Sequence, residues 1–519
     1  MNQNLPTLAE VLALVPEISL IILIAVVLWY DRVLQPAERR RVGLLTAWGS
    51  AIILLLTVGV WVFFGQPNVD AALGDSLLWG GMIRHDLITL VFRVMFLIAV
   101  GTVSLISMDV EALQRGEYFA LLLTATLGFS LMAAASDLIM IFLALETASI
   151  SLYVLAGFLT DSRRSTEAGM KYFVYGAFAS AVMLYGLSLL YGLVGEISLR
   201  GGILGRIGAP TNIYVIASLM QGIGDLPADL NALLLLAAVM IVAGFGFKIS
   251  AVPFHFWTPD VYEGAPAPVT AFVSTASKAA GFALFIRVFA AGALGRPVID
   301  PTVNFWWPLL VAITVVTMTL GNMLAIFQSN IKRMLAYSSI AQAGYAMIGL
   351  VSLTADGAAA TMYYLLMYVV TNITAFGVIV LVSNQTGSDE MEDFYGLSRR
   401  APYLALAMLF ALLSLGGIPP TAGFFGKFLV FKAAVDAGLW WLAFIGVLNA
   451  FVALYYYLTV AKYMYLYRSE EEQVRIPVSR AARVALAVTV FGIFYLTVVA
   501  GPAIEWTQQA GMAFFPFPG

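Results

Sequence analysis

The chain of 519 residues is 61% hydrophobic and 11% charged, with a mean hydropathy of +0.91, which excludes an ordinary soluble protein and predicts an all-α polytopic membrane protein. Its net charge of −3 provides no basic surface for nucleic acid. Without cysteine and with two histidines, it has no disulfide, no cysteine-ligated iron–sulfur cluster and too few ligands for a haem pair, so any electron transfer is expected in other chains.

Apolar runs long enough to cross the membrane follow one another along the chain, since about 20 helical residues cover about 30 Å of hydrocarbon. We number them spans 1 to 14 in chain order, and prolines interrupt spans 7 and 12. The spans lie near residues 11–30, 43–64, 86–107, 117–135, 138–159, 170–195, 232–252, 264–292, 305–327, 334–352, 357–383, 402–437, 439–466 and 481–504.

Basic residues predict the orientation of these spans. The connections after even-numbered spans hold Arg84, Arg200, Arg206 and Arg296. The connections after odd-numbered spans hold many more, namely Arg32, Arg39, Arg40, Arg41, Arg115, Arg163, Arg164, Lys171, Lys332, Arg333, Arg399, Arg400, Arg468, Arg475 and Arg480. Because positive residues favour the cytoplasmic side, the odd connections are predicted to be cytoplasmic and both termini to lie outside. Arg287, near the end of span 8, is expected to reach the headgroup region as well.

An internal repeat is suggested by the stretch 170–186, MKYFVYGAFASAVMLYG, which is similar to MYYLLMYVVTNITAFG at 362–377. Each stretch precedes a glycine-rich, lysine-bearing, proline-interrupted helix. We therefore divide the chain into spans 1–3 (1–110), a first repeat of spans 4–8 (111–295), a second repeat of spans 9–13 (296–467) and span 14 (468–519). Five spans per copy would insert the two copies in opposite directions, as in many transporters. Chance similarity between apolar helices is the alternative.

Two lysines in apolar sequence, Lys248 and Lys278, flank a connection with four prolines. A lysine inside the membrane is rare and usually faces the protein interior or a water-filled cavity. Proline leaves backbone carbonyls without partners, so this connection needs surrounding protein or water. Lys278 lies ten residues after Pro268, about 15 Å into its span. The arrangement predicts an ion path.

Three further residues extend this candidate path. Lys427 follows the proline break of span 12 and is the counterpart of Lys248 in the second repeat. Glu146, about eight residues into span 5, is expected to pair with Lys248, because an unpaired carboxylate is costly in lipid. His255, in the break of span 7, could relay protons between Lys248 and Lys278 or only bind a freed carbonyl. For each lysine the alternative is a side chain that reaches an interface.

The size of the charge interactions fits proton loading and release. A carboxylate at about 7 Å from an ammonium group, at an effective dielectric constant of about 20, contributes about 2.4 kcal/mol. Moving one charge through about 100 mV costs about 2.3 kcal/mol. Making and breaking one Glu146–Lys248 contact could therefore load or unload a proton against a membrane potential, provided that an external source of energy separates the two groups.

The remaining polar features are predicted to be structural. Glu17 in span 1 and Arg93 in span 3 are each expected to make a polar contact with another helix, and a transport role is the alternative for each. Asp137 should cap span 5 or line a mouth of the path. The connection 196–231 contains NIYVIASLM, which is too short to span and should be interfacial or pack on helix ends.

Four long stretches carry a family resemblance: LETASISLYVLAGF, GFKISAVPFHFWTPDVYEGAPAPVTAFVSTASK, IKRMLAYSSIAQAGY and LLSLGGIPPTAGFFGKF. They resemble the antiporter-like membrane subunits of proton-pumping NADH:quinone oxidoreductase, respiratory complex I. The resemblance covers spans 3–13 and is closest to the N-type subunit, which is called subunit 2 in mitochondria and has a counterpart in the photosynthetic relative of the complex. The M-type subunit has glutamate at the position of Lys427, which favours the N-type.

The resemblance implies a function and its residues. Glu146, Lys248, Lys278 and Lys427 would carry protons from the cytoplasm to the outside, with His255 as a possible relay. FMN, iron–sulfur clusters and quinone would be bound elsewhere in the complex, and this chain would bind no cofactor or metal. Its partners would be the M-type and K-type membrane subunits and the lipid bilayer, in a bacterial inner membrane or, for a photosynthetic version, a thylakoid membrane.

Two other functions remain open from the sequence. The chain could be a subunit of a multi-subunit cation/proton antiporter, which is built from the same helical bundle and driven by an ion gradient. It could also be a scaffold of the same membrane arm that transports nothing. The scaffold predicts that neutralising Lys278 or Lys427 changes only stability, and the retention of lysines inside the membrane argues against it.

Overall fold

The computed structural model describes residues 7–35, 38–64, 77–200, 210–222, 228–290, 306–468 and 475–512, and the predicted all-α class is confirmed. The helices are α1 (Leu8–Ala13), α2 (Val15–Val33), α3 (Arg40–Phe64), α4 (Leu87–Ser107), α5 (Gly116–Ala134), α6 (Leu138–Ala156), α7 (Arg163–Arg200), α8 (Ile213–Gly222), α9 (Ala228–Ile249), α10 (Trp257–Gly264), α11 (Ala267–Phe272), α12 (Lys278–Phe285), α13 (Trp306–Ala325), α14 (Ile331–Val351), α15 (Ala355–Thr386), α16 (Leu397–Arg400), α17 (Pro402–Gly416), α18 (Ala422–Asp436), α19 (Trp440–Leu466), α20 (Arg480–Val498) and α21 (Ala500–Met512).

Short elements complete this list. Two-residue strands, β1 (Leu77–Leu78) and β2 (Ile83–Arg84), form an antiparallel hairpin before α4. Two π-helical turns, Val273–Ser277 and Ile286–Ala290, precede and follow α12.

Twelve helices of the described part are long and apolar enough to cross a membrane, and they correspond to predicted spans 2–11, 13 and 14. Span 1 corresponds to α2, which has 19 residues. Span 12 corresponds to two helices of 15 residues each, α17 and α18. The count of fourteen spans stays a prediction. The boundary at 295/296 between the predicted repeats and the residues Arg206 and Arg296 lie outside the described residues.

Both predicted interruptions are present. α9 ends at Ile249 before a cis Val252–Pro253 bond, and α17 ends at Gly416 before a cis Pro419–Pro420 bond. The protein itself binds the groups that the first break exposes: Phe247 O accepts from the Trp257 indole at 3.1 Å, and the Val252 amide donates to Thr317 Oγ1 at 3.0 Å. Surrounding side chains thus stabilise a non-helical segment at the end of α9.

The helix α15 lies at the centre of the bundle. It has 32 residues, and its most apolar stretch of 18 residues is entirely buried. A helix that is apolar on all sides can be surrounded by lipid or by other helices, and the burial of α15 shows that other helices surround it. α15 packs against α4, α11, α14, α17, α18, α20 and α21. It therefore joins the two predicted repeats to the N-terminal and C-terminal spans.

Polar contacts assign the connections to the two ends of the bundle. Asp109, after span 3, accepts hydrogen bonds from Arg40 at 2.8 Å and Ser479 at 2.7 Å, which follow spans 1 and 13. At the other end, Gly81 O accepts from Ser136 at 2.9 Å and Asn212 at 2.7 Å. These contacts bring odd connections together at one end and even connections at the other, as predicted for alternating spans.

Two expectations for peripheral segments had different outcomes. The segment NIYVIASLM forms α8 and packs on helix ends, with its Ile213 amide bound to Ser136 O at 2.9 Å, as predicted. Residues 201–209 and 223–227 of the same connection lie outside the described residues. The expectation that Arg287 reaches the headgroups was wrong. Its side chain is fully buried, because Asp86, which the sequence places 201 residues away, binds its guanidinium.

Candidate functional site

Lys248 lies in the last turn of α9 and is 2% exposed. Its Nζ donates to Ser149 Oγ on α6 at 3.0 Å. Ser149 lies three residues after Glu146, so both residues are on one face of α6. The Glu146 carboxylate is close enough for a charge interaction with Lys248. The expected neighbours are thus brought together, although the ammonium group is hydrogen-bonded to the serine.

Glu146 lies between Lys248 and the outer surface of the chain. Its side chain is half-buried, and its Oε1 is buried without a hydrogen-bond partner. Leu143 and Ile150, one turn before and after it, are 53% and 58% exposed. The carboxylate is therefore at the edge of an outward-facing apolar stripe of α6.

Lys278 begins α12 directly after the first π-helical turn and is 2% exposed. Its Nζ donates to the backbone oxygen of Ser339 on α14 at 2.8 Å, and it lies 5.9 Å from the ring centroid of Tyr262. An aromatic ring at this distance stabilises a cation without supplying a negative charge. Lys278 therefore has neutral oxygen and aromatic neighbours.

Gly281 allows the helices of the two lysines to approach each other. A Cβ atom at this position would lie 2.7 Å from Ile249 Cγ2 and 3.3 Å from Lys248 Cγ. Only glycine fits such a contact without displacing a neighbour. The stem of Lys248 thus packs against α12 one turn beyond Lys278.

His255 lies in the break between α9 and α10 and is 5% exposed. Its ring centroid is 4.6 Å from that of Phe256, and its Nδ1 is buried without a hydrogen-bond partner. The ring is close enough to Lys278 for a charge interaction. The structure brings His255 to Lys278, and its role as a relay stays a prediction.

Lys427 binds the end of the interrupted helix in the second half. It is 4% exposed, and its Nζ donates to the backbone oxygens of Leu415 and Gly416, each at 3.0 Å. The last carbonyls of a helix have no partner within the helix and carry the negative end of its dipole, so they attract a cation. The ring of Tyr345 lies 4.6 Å from the same ammonium group.

A polar network on α14 lies between Lys278 and Lys427. Gln342 Nε2 donates to Leu415 O, the oxygen that also binds Lys427, and to Tyr457 OH, both at 3.0 Å. Tyr364 OH donates to Gln342 Oε1. The sequence analysis did not identify these residues. The serines and the glutamine one turn apart in span 10 could have indicated a polar helix face.

The neighbouring turn of α14 continues this network. Ser338 Oγ lies 2.5 Å from Tyr457 OH, and Tyr368 OH donates to Ser339 Oγ at 2.8 Å. Ser339 is also the residue whose backbone oxygen binds Lys278. Hydroxyl and amide groups can pass hydrogen bonds from one to the next, so this helix face connects the surroundings of the two lysines.

A charged cleft of about 180 Å³ opens at the end of the bundle that holds the odd connections, beside α7 and α10. Asp260 accepts from Lys171 at 2.6 Å and Arg333 at 2.8 Å. Partial burial opposes ionisation of Asp260, but these hydrogen bonds outweigh it and hold the pKa of the carboxyl below its usual value. Tyr262, two residues later on α10, faces Lys278, so α10 lies between the cleft and that lysine.

The residues predicted to be structural make the expected contacts. Arg93 NH2 binds Glu17 Oε1 at 2.7 Å, and both side chains are 3% exposed. Asp137 caps α6 by accepting from the Ile139 amide at 2.8 Å. Within the described ranges, no group of three His, Cys, Asp or Glu side chains is placed to hold a metal ion.

Comparison with known proteins gives a consistent result. Residues 135–453 match the family described as NADH:quinone oxidoreductase/Mrp antiporter, TM. NADH-quinone oxidoreductase subunit N of Trichlorobacter lovleyi is 44% identical over 89% of this chain and 90% of that protein.

Solved structures with the same fold come from several membrane assemblies. A chain of respiratory complex I from Thermus thermophilus is similar with a TM-score of 0.73 and 30% identity, over 94% of this chain and 98% of that one. A chain of the Mrp complex from a Dietzia species has the same TM-score at 22% identity, over 95% of this chain and 97% of that one, which is a likeness of fold alone.

Proposed function

Because the chain belongs to the family of NADH-quinone oxidoreductase N subunits, we propose that it moves protons through the membrane part of that enzyme complex by way of Glu146, Lys248, Lys278 and Lys427. Redox chemistry in other subunits drives the transport. FMN, iron–sulfur clusters and quinone are bound by those subunits, and this chain carries no redox centre.

The surroundings of the three buried lysines carry the proposal. Each ammonium group donates to neutral oxygens: Lys248 to a serine hydroxyl, Lys278 to one backbone carbonyl and Lys427 to two. Within the described residues, none of the three forms an ion pair within 4.0 Å. For a buried lysine without a fixed counterion, the charged and the neutral forms differ little in free energy. Small changes nearby therefore decide whether it holds a proton.

The proposed repeat explains why two such sites occur in one chain. A Cβ at Gly128 would lie 2.6 Å from the Ala148 amide nitrogen and 2.9 Å from Ala144 O, and a Cβ at Gly321 would meet the corresponding atoms of Ala341 and Tyr337 at the same distances. The same number of residues separates Gly128 from Gly321, Ala144 from Tyr337 and Ala148 from Ala341, and we call this separation the repeat interval. These matching contacts support the two copies, spans 4–8 and 9–13, that the sequence suggests.

The same interval relates positions on α6 and α14 that lie beside the buried lysines. It leads from Glu146 to Ser339 and from Ser149 to Gln342. Lys248 binds Ser149, and Lys427 shares the oxygen of Leu415 with Gln342. In each copy, therefore, the lysine of the interrupted helix lies beside the same part of the neighbouring helix. Two equivalent proton-holding positions are what a relay through one subunit requires.

The proposed route follows these contacts. Protons from the cytoplasm enter at the cleft beside Asp260 and pass α10 to reach Lys278, with His255 as a relay between Lys278 and Lys248. The Ser339 and Gln342 network on α14 passes them to Lys427, and they leave on the outside. We place the odd connections in the cytoplasm of a bacterial cell, with both termini outside, because those connections carry most of the basic residues.

The position of Glu146 supports a coupling to neighbouring subunits. A carboxylate at the edge of an exposed apolar stripe is costly against lipid, so another protein chain should cover it. We propose that a membrane subunit of the complex, of the M or K type, lies there. A shift of that neighbour would alter the charge interaction between Glu146 and Lys248.

The decisive experiment replaces Lys427 in the intact complex. Lys427→Met keeps most of the stem and removes the ammonium group, so the proton-to-electron ratio should fall while the complex still assembles. Lys432→Met is the matched control, because Lys432 lies on the same helix in an exposed pair with Asp436 and should change nothing. An unchanged ratio in an assembled Lys427→Met complex would rule the route out.

The second candidate function is a subunit of a cation/proton antiporter, which the family description and the fold of the Dietzia Mrp chain support. Co-purification with a peripheral arm that contains flavin and iron–sulfur clusters supports the first function. Sodium-dependent flux in the absence of NADH oxidation supports the second. The 44% identity to an N subunit over most of both chains favours the first.

A further inference from the structure

Arg287 uses all of its hydrogen-bond donors inside the protein. The side chain is fully buried in the second π-helical turn. Its Nε donates to Ala133 O at 3.0 Å, and one terminal nitrogen to Asp86 at 2.6 Å and Tyr214 OH at 3.3 Å. The other terminal nitrogen donates to Asp86 at 2.6 Å and Thr89 Oγ1 at 2.7 Å. A guanidinium has five N–H groups, so none is left for water.

The cluster closes one end of the helix that holds Lys278. The residues between Lys278 and Arg287 are apolar or glycine and are completely buried, over about 12 Å of helix. Asp86 and Tyr214 belong to even connections, whereas the cleft at Asp260 lies at the opposite end. The shortest path from Lys278 to the end where the even connections lie therefore runs through a buried apolar segment and then through an ion pair whose N–H donors are all used.

We propose that the Asp86–Arg287 pair is a barrier that blocks direct exit of a proton from Lys278 and directs it sideways to Lys427. The inference rests on the proposed function. Arginine does not release its proton under physiological conditions, so it cannot act as a relay. Arg287 and Asp86 act on the route through Lys278 and are positioning residues.

The experiment measures passive proton leak. The intact complex is reconstituted in liposomes with an internal pH dye, and proton influx is driven by a potassium diffusion potential without NADH. Asp86→Asn keeps the shape of the side chain but turns a donor towards the guanidinium, so we expect influx to rise several-fold over wild type. Glu17→Gln is the matched control, because it weakens an equally buried ion pair that includes neither Asp86 nor Arg287 and should leave the membrane tight.

Double variants assign the leak to a route. Lys278→Met should abolish the leak of Asp86→Asn, and Lys427→Met should leave it unchanged, because the leak bypasses Lys427. A leak that persists without Lys278, or an assembled Asp86→Asn complex as tight as wild type, would overturn the barrier. Neither result tests the lysine route. That route is tested separately, by the proton-to-electron ratio of the single variant Lys427→Met.

A milder variant covers the case in which Asp86→Asn does not assemble. Tyr214→Phe removes the hydroxyl that binds both Arg287 and Arg84 and keeps the ion pair. We expect a smaller increase in proton influx, still dependent on Lys278. A Tyr214→Phe complex that assembles and is as tight as wild type would then refute the proposal.

Discussion

The hydroxyl of Ser149 is the hydrogen-bond partner of Lys248, and the nearest carboxylate, Glu146, acts on the lysine only through its charge. This separation suits a switch better than a tight ion pair would. A direct pair of buried charges costs several kcal/mol to break, whereas charges about 5–10 Å apart at an effective dielectric constant of about 20 interact by about 2–3 kcal/mol. The latter value is comparable to the cost of moving a charge through about 100 mV.

Replacing Glu146 tests this interpretation at the level of one residue. Glu146→Gln keeps the size of the side chain and removes the charge that favours a protonated Lys248, by about 2–3 kcal/mol. We expect the proton-to-electron ratio of the reconstituted complex to fall, with assembly preserved. Glu505→Gln, at an exposed position on α21, is the control and should pump normally. Full pumping by Glu146→Gln would contradict a role for this charge.

Interrupted helices determine the layout of the site. α9 and α17 each end inside the apolar part of the chain. α9 carries Lys248 in its last turn, and the last carbonyls of α17 bind Lys427. The close packing of α9 on α12 depends on Gly281, because any side chain there would meet Ile249 and Lys248. The geometry of the first pair of lysines thus depends on the absence of a side chain.

Gly281→Val should separate α9 from α12. Overpacking a close contact of this kind costs about 1–3 kcal/mol, so we expect a lower melting temperature of the purified complex and a lower proton-to-electron ratio. Gly59→Val is the control, since a Cβ at Gly59 meets nothing within 4 Å. If Gly281→Val retained wild-type stability and pumping, the close approach of α9 and α12 would not matter for function.

Local signals predicted the spans, the two breaks and the lysines, because hydropathy and proline act through residues near in sequence. The sequence also predicted a polar helix contact for Glu17 and for Arg93, because a charge in an apolar helix needs a partner, but it did not show that the two bind each other. It could not identify Asp86 as the partner of Arg287 or Tyr457 as a partner of Gln342, because these pairs depend on how distant helices pack. Arg287 was assigned to the interface because its span ends nearby, and burial by α4, α5 and α8 is not visible in a hydropathy pattern.

At the scale of the whole molecule, the two predicted repeats face the rest of the chain differently. The first repeat carries the carboxylate Glu146 at its outer edge, whereas the position one interval later, Ser339, is buried against α15 and binds Lys278. The first repeat is therefore the one that can receive a signal from a neighbouring subunit. On the proposed route, the second repeat receives its proton from within the chain.

A cysteine next to Glu146 can test whether another subunit covers this edge. The chain has no cysteine of its own, so Leu143→Cys provides a single thiol on the exposed stripe of α6. We expect a lipid-soluble maleimide to label it slowly in the intact complex and rapidly after detergent has dissociated the membrane arm, with the same variant as its own control. Rapid labelling in the intact complex would mean that Glu146 faces lipid. In that case a neighbouring subunit could not control Lys248 through Glu146, because lipid would lie beside the carboxylate where that subunit would have to make contact.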